Sequence, residues 1–107
     1  MIFGDLRGWI DALRAAGELH EIDTEVDWDV ELGTITRRVM GSGKGPALLF
    51  NAIKDYRNGR CTRILTASMS SYARIAMMVG LPKNAPITDL VKITREKFRS
   101  RIAPTEV

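Results

Sequence analysis

The 107 residues include 45% hydrophobic and 27% charged side chains, a composition typical of a folded domain, which excludes a disordered chain. The net charge of +3 is unevenly divided, because residues 1–53 hold nine acids and five bases whereas residues 54–107 hold four acids and eleven bases. This division indicates either an anionic partner for the second half or two halves that face each other, and the plainer alternative is a solvated basic face on one helix.

The same properties bear on where the protein resides. No apolar run reaches the roughly 18 residues of a membrane span, and the first residues lack the pattern of a signal peptide, so we expect a cytoplasmic protein without a membrane partner. The single cysteine, Cys61, excludes an internal disulfide. It falls within a predicted strand, where a buried reduced thiol is the ordinary state in the cytosol.

The chain begins with an amphipathic helix. Asp5 can cap it, and its apolar residues recur at helical spacing at Leu6, Trp9, Ile10 and Leu13. Gly17 ends the helix, since glycine accepts the left-handed conformation that follows a last turn. We expect Trp9 to be a core residue rather than a platform for a ligand.

A strand with an acidic outer face is predicted over residues 18–26. One face would carry His20, Ile22, Thr24 and Val26, and the other Leu19, Glu21, Asp23 and Glu25. His20 is the only histidine and has no carboxylate and nucleophile at workable spacing, so a structural role is expected. The acids from Glu21 to Glu31 lack the glycine and spacing of a calcium loop, and strand-face acids followed by helix N-terminal acids explain them better than a metal site.

A second helix follows, capped by Asp27 or Asp29. Its apolar stripe consists of Trp28, Leu32, Ile35 and Val39, widened by Met40. Gly33 lies inside this helix at a cost of about 1 kcal/mol relative to alanine, which predicts a neighbour packed closely against it.

The glycine-rich segment 41–46 is not a phosphate-binding loop. A Walker motif needs a glycine five positions before its Gly-Lys pair, where this chain has Arg38, and a serine or threonine after the lysine, where it has Gly45. A phosphate loop also leaves a strand and opens a helix, whereas these glycines leave a helix and enter a strand.

Two apolar runs form the centre of the predicted fold, residues 46–53 and residues 61–67. Asn58-Gly59 lies between them and is a strong turn signal because both residues tolerate positive φ. The runs therefore predict paired strands with at least one buried face.

Two helices complete the chain. Serines of residues 68–71 can cap the first, whose apolar positions are Tyr72, Ile75, Ala76 and Val79, and Gly80 and Pro82 end it. Met77 and Met78 widen its apolar surface, which indicates an interface with another domain. The last helix starts at Pro86 or Thr88, runs to about Arg101 and is anchored by Ile87, Leu90, Val91 and Phe98. It carries five bases over residues 92–101 against the single acid Glu96.

The predicted order is α-β-α-β-β-α-α, with helices on one side of a small sheet. The fold class is therefore α/β (α+β), a sheet of about three strands including a hairpin, covered by about four helices. No Ser/His/Asp or Cys/His set, no paired metal ligands and no Gly-x-Gly-x-x-Gly loop are present, so we assign no catalytic, cofactor-binding or metal-binding residue.

Taken together, several segments resemble the N-terminal domain of the UbiD-type decarboxylases, which depend on prenylated FMN. The opening helix and turn of that family resemble residues 5–13 and 17–19, and its second helix and the strand after it resemble residues 30–39 and 45–50. Residues 71–81 match its pattern of serine, arginine, alanine and a terminal Gly-Leu. The order and spacing of the segments carry the resemblance, and the last helix is only loosely similar.

The resemblance implies that residues 1–107 are the N-terminal α/β domain of a longer enzyme, without its flavin-binding and C-terminal domains. The whole enzyme would reversibly decarboxylate an aromatic, heteroaromatic or α,β-unsaturated carboxylic acid, using prenylated FMN with manganese and potassium. Its catalytic set and the ligands of metal and flavin phosphate would come from the following domain, so this chain alone would bind no cofactor and be inactive. Its partners would be those domains, a small organic acid and further copies in a homo-oligomer.

Two other interpretations remain open. The chain could be a non-catalytic small subunit of a multi-component carboxylase. Alternatively, it could be a module whose basic last helix binds nucleic acid or another polyanion, although Phe98 is the only aromatic residue in that helix and no nucleic-acid motif is present.

Overall fold

The computed structural model describes residues 3–107, which form four helices and a sheet of three strands. In chain order these are α1 (Leu6–Ala15), β1 (Leu19–Ile22), α2 (Glu31–Gly41), β2 (Ala47–Phe50), β3 (Ile64–Thr66), α3 (Tyr72–Met78) and α4 (Ile87–Arg99). The predicted order and the α+β class are confirmed.

The sheet is mixed, with β2 in its centre. β1 pairs with β2 in parallel and places Leu19 opposite Ala47, whereas β3 pairs with β2 in antiparallel and places Ile64 opposite Phe50. The parallel pair needs a crossover connection, which α2 supplies, and the antiparallel pair contains the predicted hairpin.

Helices cover both faces of the sheet, so the prediction of helices on one side is wrong. On one face Leu48 and Phe50 pack with side chains of α2, among them Ile35. On the other face Ala47 packs with Trp9 and Leu13 of α1 and with methionines of α3. All four residues of β2 are buried because successive side chains of a strand point to opposite faces and both faces are covered.

The first helix agrees with its prediction. The side chain of Asp5 accepts a hydrogen bond from the backbone N–H of Gly8 at 2.9 Å, and Gly17 follows the helix with φ of 71°. Trp9 is 4% exposed, which confirms it as a core residue, and it tilts against Phe3 with ring centroids 4.9 Å apart.

The segment between α1 and β2 differs from its prediction at three points. The strand β1 is four residues long instead of nine, and His20 on it is exposed. Neither Asp27 nor Asp29 caps α2, because Val30 occupies the cap position with φ of 66° and makes no side-chain cap. Trp28 and Met40, predicted for the apolar stripe, are about half exposed.

The connection between β2 and β3 is much longer than a tight turn at Asn58-Gly59. It spans residues 51–63, and its hydrogen-bonded turn lies earlier, where the N–H of Tyr56 donates to the carbonyl of Ile53. Cys61 belongs to this connection and is exposed, so the prediction of a buried strand cysteine is wrong. The apolar run from residue 61 therefore contributes only its last part to a strand.

The two last helices bury less than their patterns predict. Ser71 caps α3 by accepting from the N–H of Arg74, as the serine cluster indicated. Met77 and Met78 are half-buried and pack against the α1 face of the sheet. Of the four predicted anchors of α4, only Leu90 is buried. No helix formed by residues 3–107 is both long and apolar enough to cross a membrane.

Candidate functional site

The residue types that commonly perform catalysis lie apart from any constellation. His20 is exposed on β1, at one edge of the sheet, and Cys61 is exposed in the connection that precedes β3. Within the described part of the chain, no three His, Cys, Asp or Glu side chains come together in a way that could hold a metal ion. Of the acids in residues 21–31, Glu21, Glu25 and Asp27 instead form ion pairs with arginine or lysine.

These ion pairs form a charged seam, by which we mean Glu18, Glu21, Glu25 and Asp27 together with their basic partners. Five of its pairs join an acid of the first half to a base of the second: Asp27–Lys54 at 3.3 Å, Glu25–Arg57, Glu21–Arg63 at 3.9 Å, Glu18–Arg74 at 3.0 Å and Glu18–Lys83 at 3.5 Å. The later an acid comes in the sequence, the earlier its basic partner comes in the second half of the chain. The seam therefore fastens the 51–63 connection along β1 and the loop that follows it.

Asn51 completes the seam at the end of β2. Its amide nitrogen donates to Asp23 at 2.8 Å, and its carbonyl oxygen accepts from Nε of Arg63 at 2.8 Å. This one side chain links the acidic loop, the central strand and the approach to β3.

Two acids of the seam have lowered pKa values. Hydrogen bonds from Arg14, and then from Asn51, lower the pKa of Glu21. The backbone N–H of Asp29, followed by Lys54, lowers the pKa of Asp27. The pKa of Lys54 is raised in turn by its hydrogen bond to Asp27 and by that charge. These shifts stabilise the charged forms and point to a structural role of the seam.

Arg74 is the one fully buried charged residue among residues 3–107. Its guanidinium donates to Glu18 at 3.0 Å, to the hydroxyl of Ser70 at 2.8 Å and to the carbonyl of Ala67 at 3.2 Å. Lys83 adds a second cation beside Glu18 at 3.5 Å. The cluster ties α3 and the loop before it to the start of β1.

An apolar face is exposed where α3 meets α4. We call it the α3–α4 face and define it by Tyr72, Ile75, Ile87, Val91 and Phe98, which line a groove of about 350 Å³. Tyr72, Ile87, Val91 and Phe98 are all more than half exposed. Contiguous exposed apolar patches on folded domains often mark interaction sites.

The basic side chains of α4 stand beside this face. None of the ion pairs formed within residues 3–107 involves Lys92, Arg95, Lys97 or Arg99. The excess of bases in the second half thus has two parts. Lys54, Arg57, Arg63, Arg74 and Lys83 pair with acids of the first half, whereas the bases of α4 are exposed.

The described residues therefore fit a structural or docking role better than a catalytic one. The sequence pattern singled out the acids of residues 21–31 but did not predict their partners, and it gave no role to Arg74. The alternation of acids from Glu21 to Asp27, taken together with the bases of residues 54–63, was the signal available for the seam.

Comparison with known proteins gives consistent matches. The family model described as 3-octaprenyl-4-hydroxybenzoate carboxy-lyase N-terminal domain matches residues 10–94. The chain is 37% identical to the pyrrole-2-carboxylic acid decarboxylase of Pseudomonas aeruginosa, over 94% of this chain and 21% of that protein. It is 37% identical to the phenolic acid decarboxylase of Bacillus subtilis, over 83% of this chain and 18% of that protein.

A solved structure agrees with the sequence matches. The vanillic acid decarboxylase of Sedimentibacter hydroxybenzoicus in its open form superposes with a TM-score of 0.81 at 26% identity, covering 94% of this chain and 21% of the matched one. The chain thus spans about a fifth of the length of the proteins that it matches.

Proposed function

The chain belongs to the UbiD family of carboxy-lyases, and on that premise we propose that it is the N-terminal domain of a longer decarboxylase. The observation that carries the proposal is the match of residues 10–94 to the family's N-terminal domain, combined with relatives about five times longer. In this role the domain frames and supports a reaction centre that lies elsewhere in the polypeptide.

The substrate class follows from the relatives. Their names specify pyrrole-2-carboxylic acid, phenolic acids and vanillic acid, which are aromatic or heteroaromatic carboxylic acids. We propose the same class for the whole enzyme, with release of carbon dioxide as the reaction and the cytoplasm as its location.

Prenylated FMN with manganese and potassium is the cofactor set that the family resemblance implies. The side chains of residues 3–107 do not fit the metal ions of that set. Residues 3–107 bring together no three potential metal ligands, and the clustered acids Glu21, Glu25 and Asp27 are engaged by arginine or lysine. We therefore assign the cofactor and the catalytic residues to polypeptide outside these 107 residues, and no residue here is given a catalytic role.

The test compares the 107-residue chain with the full-length gene product. Flavin absorbance and carbon dioxide release are measured with pyrrole-2-carboxylate and vanillate. The short chain should show neither property, and addition of the separately produced remainder should restore both. Turnover by the short chain alone, with a tightly bound chromophore, would contradict the proposal.

Co-purification from the source organism separates the fragment from the small-subunit alternative. A single long polypeptide supports the proposal, whereas a natural chain of 107 residues bound to a separate large subunit supports the multi-component carboxylase.

The exposed bases of α4 favour one second candidate, a polyanion-binding module. Its test is a titration with RNA and DNA at two salt concentrations, since binding to phosphates must weaken steeply as salt rises. Absent or salt-independent binding rejects it.

A further inference from the structure

The α3–α4 face is an apolar surface that residues 3–107 leave exposed. Phe98 is 82% exposed and Tyr72 is 66% exposed, values unusual for aromatic residues in a folded domain. The apolar surface continues past Tyr72 and Ile75 into a second groove of about 330 Å³, which Met69 also lines. The face therefore extends from α4 to the loop before α3.

The domain itself also covers little of helix α4. This helix has 13 residues, and Leu90 is the only one of them that is buried. Helices of this length are marginal by themselves in water and depend on burial of an apolar stripe. Here Ile87, Val91 and Phe98 fall on one stripe, which borders the groove beside α3 and is more than half exposed.

The net positive charge of α4 indicates what kind of surface can pack against the α3–α4 face. Within Ile87–Arg99 there are four bases and two acids, so two copies of α4 pressed together would bring like net charges into contact. A complementary surface would offer apolar side chains flanked by acids. The α3–α4 face of a second copy does not meet that requirement.

We propose that the α3–α4 face is the docking surface for the remainder of the decarboxylase polypeptide, through an apolar patch rimmed by acids. This inference rests on the proposed function. The chain covers about a fifth of its relatives, so most of such a polypeptide lies outside it. Residues 100–107 leave α4 directly, are fully exposed and form no helix or strand. Eight extended residues reach about 27 Å, whereas α4 is about 20 Å long, so the following chain can fold back over the face.

Hydroxyl-radical footprinting tests whether the face is covered. Oxidation rates of Tyr72 and Phe98 are measured in the full-length protein and in the 107-residue chain. We expect each rate to be at least about tenfold lower in the full-length protein, whereas Tyr56, which is 47% exposed beside the charged seam, serves as an internal reference that changes little.

A matched pair of variants tests whether the contact matters. Val91→Asp places a charge within the face, and Met40→Asp places the same charge on α2, where the side chain is similarly exposed. In the full-length protein Val91→Asp should lower the melting temperature and expose residues 100–107 to protease, and Met40→Asp should do neither. In the 107-residue chain both variants should melt like the parent, which shows that they fold.

The outcomes separate this inference from the proposed function. Equal oxidation of Phe98 in the two proteins, with decarboxylation intact, overturns the docking surface and leaves the function in place. The proposed function itself is rejected only if the full-length protein releases no carbon dioxide from any aromatic acid. The inference is also overturned if the 107-residue chain forms a dimer that Val91→Asp abolishes. It is equally overturned if the 107-residue chain binds vesicles of phosphatidylserine and phosphatidylcholine.

Discussion

Phe50 and Phe98 lie at opposite extremes of exposure, although the apolar pattern predicts both as core. Phe50 is fully buried in the cluster shared with α2, whereas Phe98 is 82% exposed. The pattern identifies apolar side chains on one face of an element. It does not reveal whether the domain itself supplies something to cover that face.

The pair gives a stability prediction with its own control. Phe50→Ala should lower the free energy of unfolding by about 3–5 kcal/mol, because the truncation leaves a cavity beside Leu48 and Val26. Phe98→Ala in the 107-residue chain should stay within about 0.5 kcal/mol of the parent. Urea denaturation measures both, and a mild loss for Phe50→Ala would mean that β2 is not the centre of the core.

Arg74 gives a second prediction at the level of single residues. Arg74→Met keeps an unbranched apolar side chain but removes the guanidinium that donates to Glu18, Ser70 and the carbonyl of Ala67. We expect a loss of about 3 kcal/mol in the free energy of unfolding, since breaking a buried ion pair leaves polar groups unpaired.

Arg99→Met is the matched control for Arg74→Met, because the same exchange on exposed α4 disturbs no ion pair formed within residues 3–107. Its stability should match that of the parent. Similar losses for both variants would show that Arg74 stabilises the domain through bulk alone.

Two glycines, one inside α2 and one shortly after it, have different surroundings. The sequence predicts a closely packed neighbour at Gly33, but a Cβ added there would meet nothing within 4 Å, so that prediction is wrong. At Gly45 an added Cβ would lie 2.5 Å from the carbonyl oxygen of Val39, so the glycine permits the end of α2 to approach the start of β2.

The expected effects of alanine at these sites have opposite signs. Gly33→Ala should raise the free energy of unfolding by about 0.5–1 kcal/mol through helix propensity and a less flexible unfolded chain. Gly45→Ala should lower it by about 1–3 kcal/mol, because α2 must shift to admit the methyl group. Thermal and urea unfolding test both, and a destabilised Gly33→Ala variant would contradict the open space beside that residue.

At the scale of the whole molecule, the charged seam makes the stability of the domain depend on pH. The pKa values of Glu21 and Asp27 are lower in the folded state than in the unfolded chain, so the unfolded state binds more protons in acid. Their contribution is fully present above the ordinary carboxyl pKa of about 4 and is lost as the pH falls through the lower folded values.

The free energy of unfolding of the parent should therefore decrease between about pH 5 and pH 3. Glu21→Gln removes one titrating member of the seam and should flatten that decrease. Glu106→Gln changes the same residue type in the exposed C-terminal segment, outside every ion pair of residues 3–107, and should leave the decrease unchanged. Identical slopes for the three proteins would show that Glu21 does not couple folding to pH.

The sequence by itself determined the local elements of this protein. The cap at Asp5, the stop at Gly17, the apolar run of β2 and the serine cap of α3 follow from interactions between residues close in the chain, and the structure reproduces them. The resemblance over residues 5–81 likewise identified the family, since order and spacing of motifs are properties of the sequence.

Only the tertiary structure decided how those elements cover one another. It placed helices on both faces of β2 and exposed Cys61 and the stripe of α4. It also brought each of Glu18, Glu21, Glu25 and Asp27 to a basic partner in the second half of the chain. Such pairings depend on where distant segments meet in space, which no local period or spacing encodes. The partners within the charged seam and the exposure of the α3–α4 face could therefore not be predicted from the sequence.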